Sequence, residues 1–506
     1  MIKRTKKIIT ILLTLSVVLI STGTGAVMAA DNDGWTEARR TEAGTDEKWN
    51  EWCEEWEKIK NNPTQISLSP GRNESELNFS WYSKVTDKDV KFRFGRNKSL
   101  SDADEIEVTS EDAVKGYRSN KCTVTGLKEE KTYYYSYTVD GKWTEPVAYE
   151  TKDTDEFKIL YVGDPQIGSS SENIALGEQE EQGQDNAVRN DSFNWNNTIN
   201  TALENNPDIS FMISAGDQIQ SRDKNNPSKE YDENEIEYAG YLSPKALKSL
   251  PVATTIGNHD APSGNYSYNF NNPNASQLGE TMAGGDYYYT YGNTLFIVLN
   301  TNNDNISEHK ELIEKAVSEN PDAKWRVVSI HQDIYGSGEH SNEPEIVNLR
   351  YGIVPILEDN DIDVVLSGHD HVYSRSYILS GGYRDKDISQ MSDDEFEEYF
   401  QGKIPADEKY TSYLQTIEDE KAVKSKKGKN TVINPKGILY MTANSSSGSK
   451  YYDLVTKQQA YIASRWQEDV PAYSVIEIDD DELKINTYRT DNNEKIDDTF
   501  TIVKME

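Results

Sequence analysis

The pattern of apolar and polar positions changes character twice along this chain of 506 residues. Between residues 62 and 152, apolar and polar residues alternate in short runs such as LNFSW at 77–81 and KFRF at 91–94, with turn residues between them. A period of two is typical of half-buried strands, and about seven such runs predict an all-β sandwich. Gly126-Leu127 followed by Thr132-Tyr133 has the spacing of a tyrosine corner, which is typical of such sandwiches.

From residue 157 onward, apolar runs of strand length alternate with longer segments whose apolar residues recur every three to four positions. This alternation predicts an α/β domain over residues 155–506. The predicted strands are 157–162, 209–214, 252–256, 295–299, 325–330 and 364–366, and the predicted helices are 192–205, 307–319 and 344–358. Residues 381–435 interrupt the rhythm with an acidic run at 393–398 and a basic run at 421–429, which predicts a charged surface insertion.

The first 61 residues divide into two segments. Residues 1–30 combine a basic start, an apolar run at 8–20 and small residues at 26–30, a pattern that predicts a cleaved signal peptide and a secreted or cell-surface protein. An uncleaved N-terminal anchor is the alternative, and no stable membrane insertion is expected after cleavage. In the segment 31–61, Trp49, Trp52 and Trp56 are spaced as a helical stripe, which we expect to pack against a neighbouring domain.

Composition adds two constraints. The net charge of −34 argues against binding to a nucleic-acid backbone, because a polyphosphate would be repelled. The exported chain would keep two cysteines, Cys53 and Cys122, which could form one disulfide or remain two thiols. The oligomeric state is left open.

Candidate chemistry lies where five of the predicted strands end. Each of them is followed by polar residues that can bind a metal, and in parallel sheets such ends share one edge. Carboxylate, imidazole and carboxamide groups together suit Mn, Fe or Zn better than Ca. These segments are GDPQ (Asp164, Gln166), GDQ (Asp217), GNHD (Asn258, His259, Asp260), the single His331, and GHDH (His369, His371).

The series GDPQ, GDQ, GNHD, H and GHDH resembles that of the calcineurin-like metallophosphoesterases, and residues 62–152 resemble the N-terminal domain of purple acid phosphatases. The resemblance implies a four-layer α/β sandwich of two mixed sheets flanked by helices, preceded by an all-β fibronectin type III-like sandwich. It also implies two divalent metal ions, Mn, Fe or Zn, at one sheet edge. Asp164, Asp217 and His371 would bind the first ion, and Asp217 would bridge to a second ion held by Asn258, His331 and His369.

The resemblance extends to residues that would contact the substrate. His259 would assist at the substrate with Asp260 orienting it, and Arg375 could bind a phosphate oxygen. His340 would be a second substrate-facing histidine, or alternatively an exposed loop residue. His309, between Glu308 and Lys310 on a helix, is expected to be solvated.

Two glutamines depart from the family pattern. Gln166 stands where most of the wider family has histidine, so it would bind the first metal or hold one of its water ligands. Gln220 stands where purple acid phosphatases have a tyrosine, which puts a purple Fe(III) centre in doubt.

The sequence therefore predicts a secreted, metal-dependent phosphoesterase that acts on a small phosphorylated substrate. Phosphomonoester hydrolysis by a metal-bridging hydroxide is the first hypothesis. The alternative is a phosphodiesterase or nucleotide pyrophosphatase with the same centre, and a non-catalytic binding protein is a third hypothesis.

Overall fold

The computed structural model describes residues 46–60, 62, 65–86, 89–172, 183–221, 233–382, 391–424 and 430–505. The predicted signal peptide at 1–30 and parts of the predicted insertion at 381–435 lie outside these ranges. Within them, no helix has both the length and the apolar character needed to cross a bilayer.

The first domain is an all-β sandwich. One sheet has the strand order β1-β2-β6-β5 and the other β4-β3-β7-β8, with β9 paired to β7. The backbone N–H of Lys128 donates to the Tyr133 hydroxyl at 3.0 Å, which is the tyrosine corner expected from the sequence. The strands are β1 Ile66–Pro70, β2 Glu76–Lys84, β3 Phe92–Gly95, β4 Asp104–Ile106, β5 Thr109–Asp112, β6 Tyr117–Thr125, β7 Thr132–Val139, β8 Lys142–Trp143 and β9 Val147–Glu150.

The second domain contains two mixed sheets of seven strands each. The first sheet has the order β12-β11-β10-β21-β22-β23-β18, and the second β13-β14-β15-β16-β19-β17-β20. Strands β10, β11 and β12 are parallel to one another, as are β14, β15, β16 and β19. The strands are β10 Phe157–Val162, β11 Ile209–Ser214, β12 Val252–Thr254, β13 Tyr287–Tyr291, β14 Thr294–Val298, β15 Trp325–Ser329, β16 Val364–Ser367, β17 Tyr373–Ser376, β18 Thr431–Ile433, β19 Leu439–Thr442, β20 Ile462–Trp466, β21 Ala472–Ile478, β22 Glu482–Arg489 and β23 Phe500–Val503.

The helices cover the outer faces of the two sheets. The longest of them, α2 (Gln184–Asn205), starts eight residues before the predicted start. The prediction missed this first part because the buried Ala187 and Val188 stand among polar residues in the sequence. The helices of the described residues are α1 Asp46–Ile59, α2 Gln184–Asn205, α3 Glu233–Tyr241, α4 Asn265–Asn269, α5 Ile306–Glu319, α6 Pro344–Asp359, α7 Asp393–Phe400 and α8 Glu408–Ile417.

The period of two along the central strands explains the layering. In β10, Ile159 and Tyr161 join the core between the sheets, whereas Leu160 and Val162 join the core under α1, α2 and α3. Because both faces are buried, these strands read as nearly continuous apolar runs. The domain is therefore the four-layer sandwich that the family resemblance implied, with helices outside and sheets inside.

The tryptophan stripe of α1 packs on the second domain. Trp49 lies 5.3 Å from Phe193 between ring centroids, and the Trp52 indole N–H donates to the Arg189 carbonyl at 2.8 Å. Both partners belong to α2, so α1 is an extra layer on the helical face. No disulfide joins Cys53 on this helix to Cys122 in the described part of the chain, since Cys122 is buried in the core of the β-sandwich.

Candidate metal centre

The two sheets meet where their parallel strands end. Gly163, just past β10, forms a parallel bridge with Ser445, just past β19, and this bridge joins the first sheet to the second. The polar residues that follow the strands of both sheets therefore face a common space. The geometry gathers the expected ligands from both sides.

The first sheet supplies two buried carboxylates. Asp164 follows β10 and is fully buried, and Asp217 follows β11 and is 2% exposed. Both Asp164 oxygens accept from the His369 backbone N–H at 2.9 and 3.0 Å. Oxygens of these two carboxylates and a ring nitrogen of His331 lie within 4.8 Å of one another, a spacing that a bound metal ion would fit.

The remaining ligands lie on either side of the carboxylates. His331 Nε2 is 3.4 Å from Asp217 Oδ2, and the Asn258 side-chain oxygen lies 2.9 Å from His331 Nε2 and 3.1 Å from His369 Nδ1. On the other side, His371 Nε2 is 3.7 Å from Asp164 Oδ1. The candidate donors thus form two sets, with Asp217 next to both. Asn258, His331 and His369 form one set, and Asp164 and His371 form the other.

Backbone carbonyls orient two of the imidazoles. His331 Nδ1 donates to the Ala215 carbonyl at 2.9 Å, and His371 Nδ1 donates to the Lys450 carbonyl at 2.7 Å. Because a carbonyl only accepts, each ring carries its proton on Nδ1 and can present Nε2 as a lone-pair donor. This is the arrangement by which metal-binding histidines are held in protein sites.

The backbone at the candidate ligands has an unusual conformation. Five candidate ligands have positive φ, a region that residues other than glycine rarely adopt and that is enriched at functional sites. Gly257 passes so close to Asp217 that a Cβ there would lie 2.8 Å from the Asp217 Cα and closer to its amide nitrogen and Oδ1. The positive-φ ligands are Asp164, Gln166, Asp217, His369 and His371.

Electrostatics of the cluster favour a cation. Burial, together with His331 and His340, holds the pKa of His369 well below its usual range, and burial with Lys450 lowers that of His371 to about 3, so both rings are neutral at pH 7. Burial lowers the pKa of His331, but Asp217 outweighs it and raises the value to about 9. His331 is therefore protonated at neutral pH beside the ionised Asp217 carboxylate, at the place where a metal cation would supply the positive charge instead.

Gln166 gives an independent sign that the residues fit a metal. Its amide nitrogen donates to Gln220 Oε1 at 2.9 Å and lies 2.9 Å from His259 Nε2. These two contacts use both hydrogens of the amide. Its oxygen is buried without a hydrogen-bond partner. Such an orphaned acceptor needs an explanation, and a bound cation or its water ligand provides one.

His259 lies beside these glutamines, but Asp260 has a different role from the one expected. His259 Nδ1 faces the Gln220 carbonyl, not Asp260. Asp260 is fully buried and accepts from the backbone N–H of Gly257 at 3.0 Å and of Gln218 at 3.3 Å, and from the Tyr238 hydroxyl at 3.0 Å. It ties two ligand loops together, so the expectation that Asp260 orients His259 was wrong.

His340 lies at the cluster. Its ring centroid is 5.1 Å from that of His369, and its Nδ1 is 2.7 Å from Glu343 Oε1. The backbone N–H of His340 donates to Asp370, which lies between the two histidines of the GHDH segment, at 2.7 Å. Burial lowers the pKa of His340, but Glu343 and Asp370 outweigh it and raise the value to about 9. The alternative of an exposed loop histidine does not describe this environment.

Arg375 and His309 are placed elsewhere. The Arg375 Nε donates to Asp497 at 2.7 Å, and its guanidinium lies 4.5 Å from the centre of the Phe500 ring, so it is committed to the core between the sheets and is not a phosphate ligand here. His309 is fully buried, with Nδ1 2.7 Å from Asp286 Oδ2. The expectation of a solvated His309 was also wrong.

Sequence reasoning missed the segment after β19. Tyr452 packs between His340 and His371, with centroid distances of 4.7 and 5.0 Å, and Lys450 holds His371. The signal was present, since the apolar run LYMTA at 439–443 is followed by the polar residues NSSSGSK at 444–450, a pattern similar to that at the five recognised strand ends.

Two parts of the chain match models of known protein families. Residues 157–373 match the model of the calcineurin-like phosphoesterase family. The chain carries a calcineurin-like phosphoesterase domain. Residues 63–151 match the model of the purple acid phosphatase N-terminal domain.

Relatives support the assignment at the level of the fold. Purple acid phosphatase 3 of Arabidopsis thaliana is 28% identical over 93 residues, a match that spans 16% of this chain and 25% of that protein. A purple acid phosphatase from yellow lupin (Lupinus luteus) seeds superposes with a TM-score of 0.60 at 14% identity, over 88% of this chain and 75% of the other. The structure of PhoD superposes with a TM-score of 0.51 at 11% identity, over 86% of this chain and 93% of the other.

Proposed function

We propose that this protein is a secreted phosphoesterase that uses two divalent metal ions to hydrolyse small phosphomonoesters. The observation that carries the proposal is the convergence of six N and O donors from five strand ends, with Asp217 next to both sets. The proposed organisation is a signal peptide at 1–30, a helical segment at 31–61, a β-sandwich at 62–152 and a phosphoesterase domain at 155–506 with an insertion at about 381–435.

The donor sets suggest how two ions would be held. Asp164 and His371 would bind the first ion, with Gln166 contributing its orphaned oxygen or a water contact. Asn258, His331 and His369 would bind the second, and Asp217 would serve both. When bound, such ions supply Lewis-acid polarisation of the phosphoryl oxygens and an activated water nucleophile.

Protein groups around the ligands complete the proposed chemistry. His340 holds a proton beside the ligand His369, and Glu343 fixes the ring through Nδ1, which leaves Nε2 to protonate the leaving-group oxygen. His259 is held by the Gln220 carbonyl and Gln166 on the opposite side, where it can contact the substrate. Asp260 keeps these loops in register without touching the substrate.

Substitution Asp217→Asn tests the proposal directly. Because one carboxylate serves both ions, we expect the variant to lose at least one metal per chain and most of its activity on p-nitrophenyl phosphate. Asp322→Asn, at an exposed carboxylate, is the matched control. Metal analysis and kinetics that find the Asp217→Asn variant fully loaded and fully active would refute the dinuclear assignment.

The same assay separates monoester from diester hydrolysis. Bis-p-nitrophenyl phosphate has the same leaving group as p-nitrophenyl phosphate but carries one negative charge less at neutral pH. A higher kcat/KM for the diester would replace the proposed activity by phosphodiester hydrolysis with the same centre. If the metal-loaded wild type hydrolyses neither ester, the hypothesis of a non-catalytic binding protein would replace both activities.

A further inference from the structure

The loop between β14 and α5 carries a side chain that bridges the two sheets beside the candidate metal centre. The Asn302 amide nitrogen donates to the Ile256 carbonyl at 2.8 Å, and the Asn302 side-chain oxygen accepts from Gln332 Nε2 at 3.0 Å. Ile256 lies two residues before the candidate ligand Asn258, and Gln332 directly follows the candidate ligand His331. One amide therefore connects the two loops that supply Asn258 and His331.

Both hydrogens and the oxygen of the Asn302 amide have partners. Its second N–H donates to Asn300 Oδ1 at 2.9 Å. Gln332 is 8% exposed, and its own side-chain oxygen accepts from the Thr301 hydroxyl. A satisfied and largely buried polar network of this kind rigidifies the segments that it joins. The loop after β14 therefore holds the two ligand loops in one relative position.

A buried network anchors the loop from behind. Asn300 is 1% exposed, its backbone N–H donates to Asp286 Oδ1 at 2.7 Å, and its amide nitrogen donates to the Gly279 carbonyl at 2.9 Å. The other Asp286 oxygen lies 2.7 Å from Nδ1 of His309 on α5. None of these anchoring residues is a candidate metal ligand, so Asn302 is a fixed point to which the ligand loops are attached.

The two donor sets are held by different contacts. Asn258 and His331 belong to one set, and their loops meet at Asn302. In the other set, the His371 ring is oriented by the Lys450 carbonyl, which accepts from Nδ1 at 2.7 Å. A change at Asn302 should therefore disturb the first of these sets and spare the second.

We propose that Asn302 is a positioning residue that sets the affinity for the ion held by Asn258, His331 and His369. The inference rests on the two-ion scheme of the proposed function. Asn302 acts through the ligand loops and is not itself a ligand in this scheme. Since metal–ligand distances tolerate deviations of only about 0.2 Å, a small relaxation of either loop weakens binding.

Titration of the chelator-treated full-length protein with Mn²⁺ tests the inference. Residues that orient metal ligands contribute roughly tenfold to a hundredfold in affinity, and Asn302 is one step further out, so we expect Asn302→Ala to raise one of the two dissociation constants about tenfold. The other constant should not change. The constant that rises should be the one that Asn258→Ala removes. Asn303→Ala is the matched control and should change neither constant, because that side chain donates to the Glu280 carbonyl at 3.0 Å and not to a ligand loop.

Kinetics separate positioning from a catalytic or general structural role. At limiting Mn²⁺, Asn302→Ala should hydrolyse p-nitrophenyl phosphate with a lower kcat, and excess Mn²⁺ should restore both kcat and KM. Gln332→Met removes the other half of the bridge, so it should raise the same dissociation constant. The double variant should lose less than the sum of the two single effects, because both substitutions break one contact. Gln332→Met also provides the test if Asn302→Ala does not fold.

The outcomes are distinct. Unchanged affinity for both ions, equal weakening of both, or a kinetic defect that excess Mn²⁺ does not repair would overturn the role of Asn302 and leave the proposed function standing. A wild-type protein that binds two Mn²⁺ ions but hydrolyses neither ester would refute the proposed function, and the dissociation constants would still decide the role of Asn302. A wild-type protein that binds a single ion would refute the two-ion scheme and this role together.

Discussion

Substituting Gly257 by alanine probes how closely the metal centre is packed. The added Cβ would lie 2.8 Å from the Asp217 Cα, where ordinary contacts begin at 3.4 Å, so the Asp217 backbone must move by about 0.6 Å or more. Metal–ligand distances tolerate deviations of about 0.2 Å. The nearest atoms are backbone, or belong to the carboxylate itself, and no flexible side chain can absorb the shift.

We therefore expect Gly257→Ala to lose metal and at least about a hundredfold in kcat/KM, since misplacement of about 1 Å has that effect on catalysis. Overpacking should lower the free energy of unfolding by only about 1–3 kcal/mol, so the fold should persist. Gly264→Ala is the matched control, because its Cβ would meet nothing nearer than 3.8 Å and its φ of −68° suits alanine. Metal analysis, kinetics and thermal unfolding of both variants provide the test, and a Gly257→Ala protein with full metal content and wild-type kcat/KM would show that the reasoning is wrong.

Two further predictions concern stability and colour. Both nitrogens of the buried His309 face acceptors, Asp286 and the Asn303 carbonyl, and although burial lowers its pKa, the hydrogen bond with Asp286 raises it overall. The stabilisation is complete below the ordinary imidazole pKa of about 6.5 and is lost as pH rises through the raised folded value. His309→Gln should therefore cost about 3–5 kcal/mol near pH 6 and progressively less as the pH rises through that raised value. Denaturant unfolding measures this difference, and a difference that widens with pH would contradict the pairing. The metal-loaded protein should also lack a strong absorption band in the green-to-yellow region, because Gln220 replaces the expected tyrosine; a band that disappears in Tyr452→Phe would identify Tyr452 as an unexpected metal ligand.

The strand ends could be predicted because each combines two local signals, a buried apolar run and a polar loop that opens with glycine or a ligand. Parallel strands then bring such ends to one edge whatever the sequence distance between them. The errors arose where side-chain direction decides the outcome. Arg375 is only four residues from His371, but it lies within β17 and points to the core between the sheets.

Helix periodicity could have corrected the expectation for His309. Leu312, Ile313 and Ala316 are buried on α5, and position 309 precedes them by three, four and seven residues, so it belongs to the same face. The prediction instead relied on the charged residues beside it, Glu308 and Lys310, and overlooked that spacing. By contrast, the partner Asp286 and the placement of Lys450 against His371 depend on contacts between distant segments, which no local pattern encodes.

The division of the ligands between the two sheets has a consequence for how the protein acquires its metals. Asp164, Asp217 and Asn258 come from the first sheet, and His331, His369 and His371 come from the second, so in the proposed two-ion scheme neither sheet alone would hold both ions. We therefore expect metal capture to follow docking of the two sheets, as a late event in folding. Refolding followed by tryptophan fluorescence should therefore proceed at the same rate with and without Mn²⁺, and a rate that increases with metal concentration would show that the ions guide the sheets together.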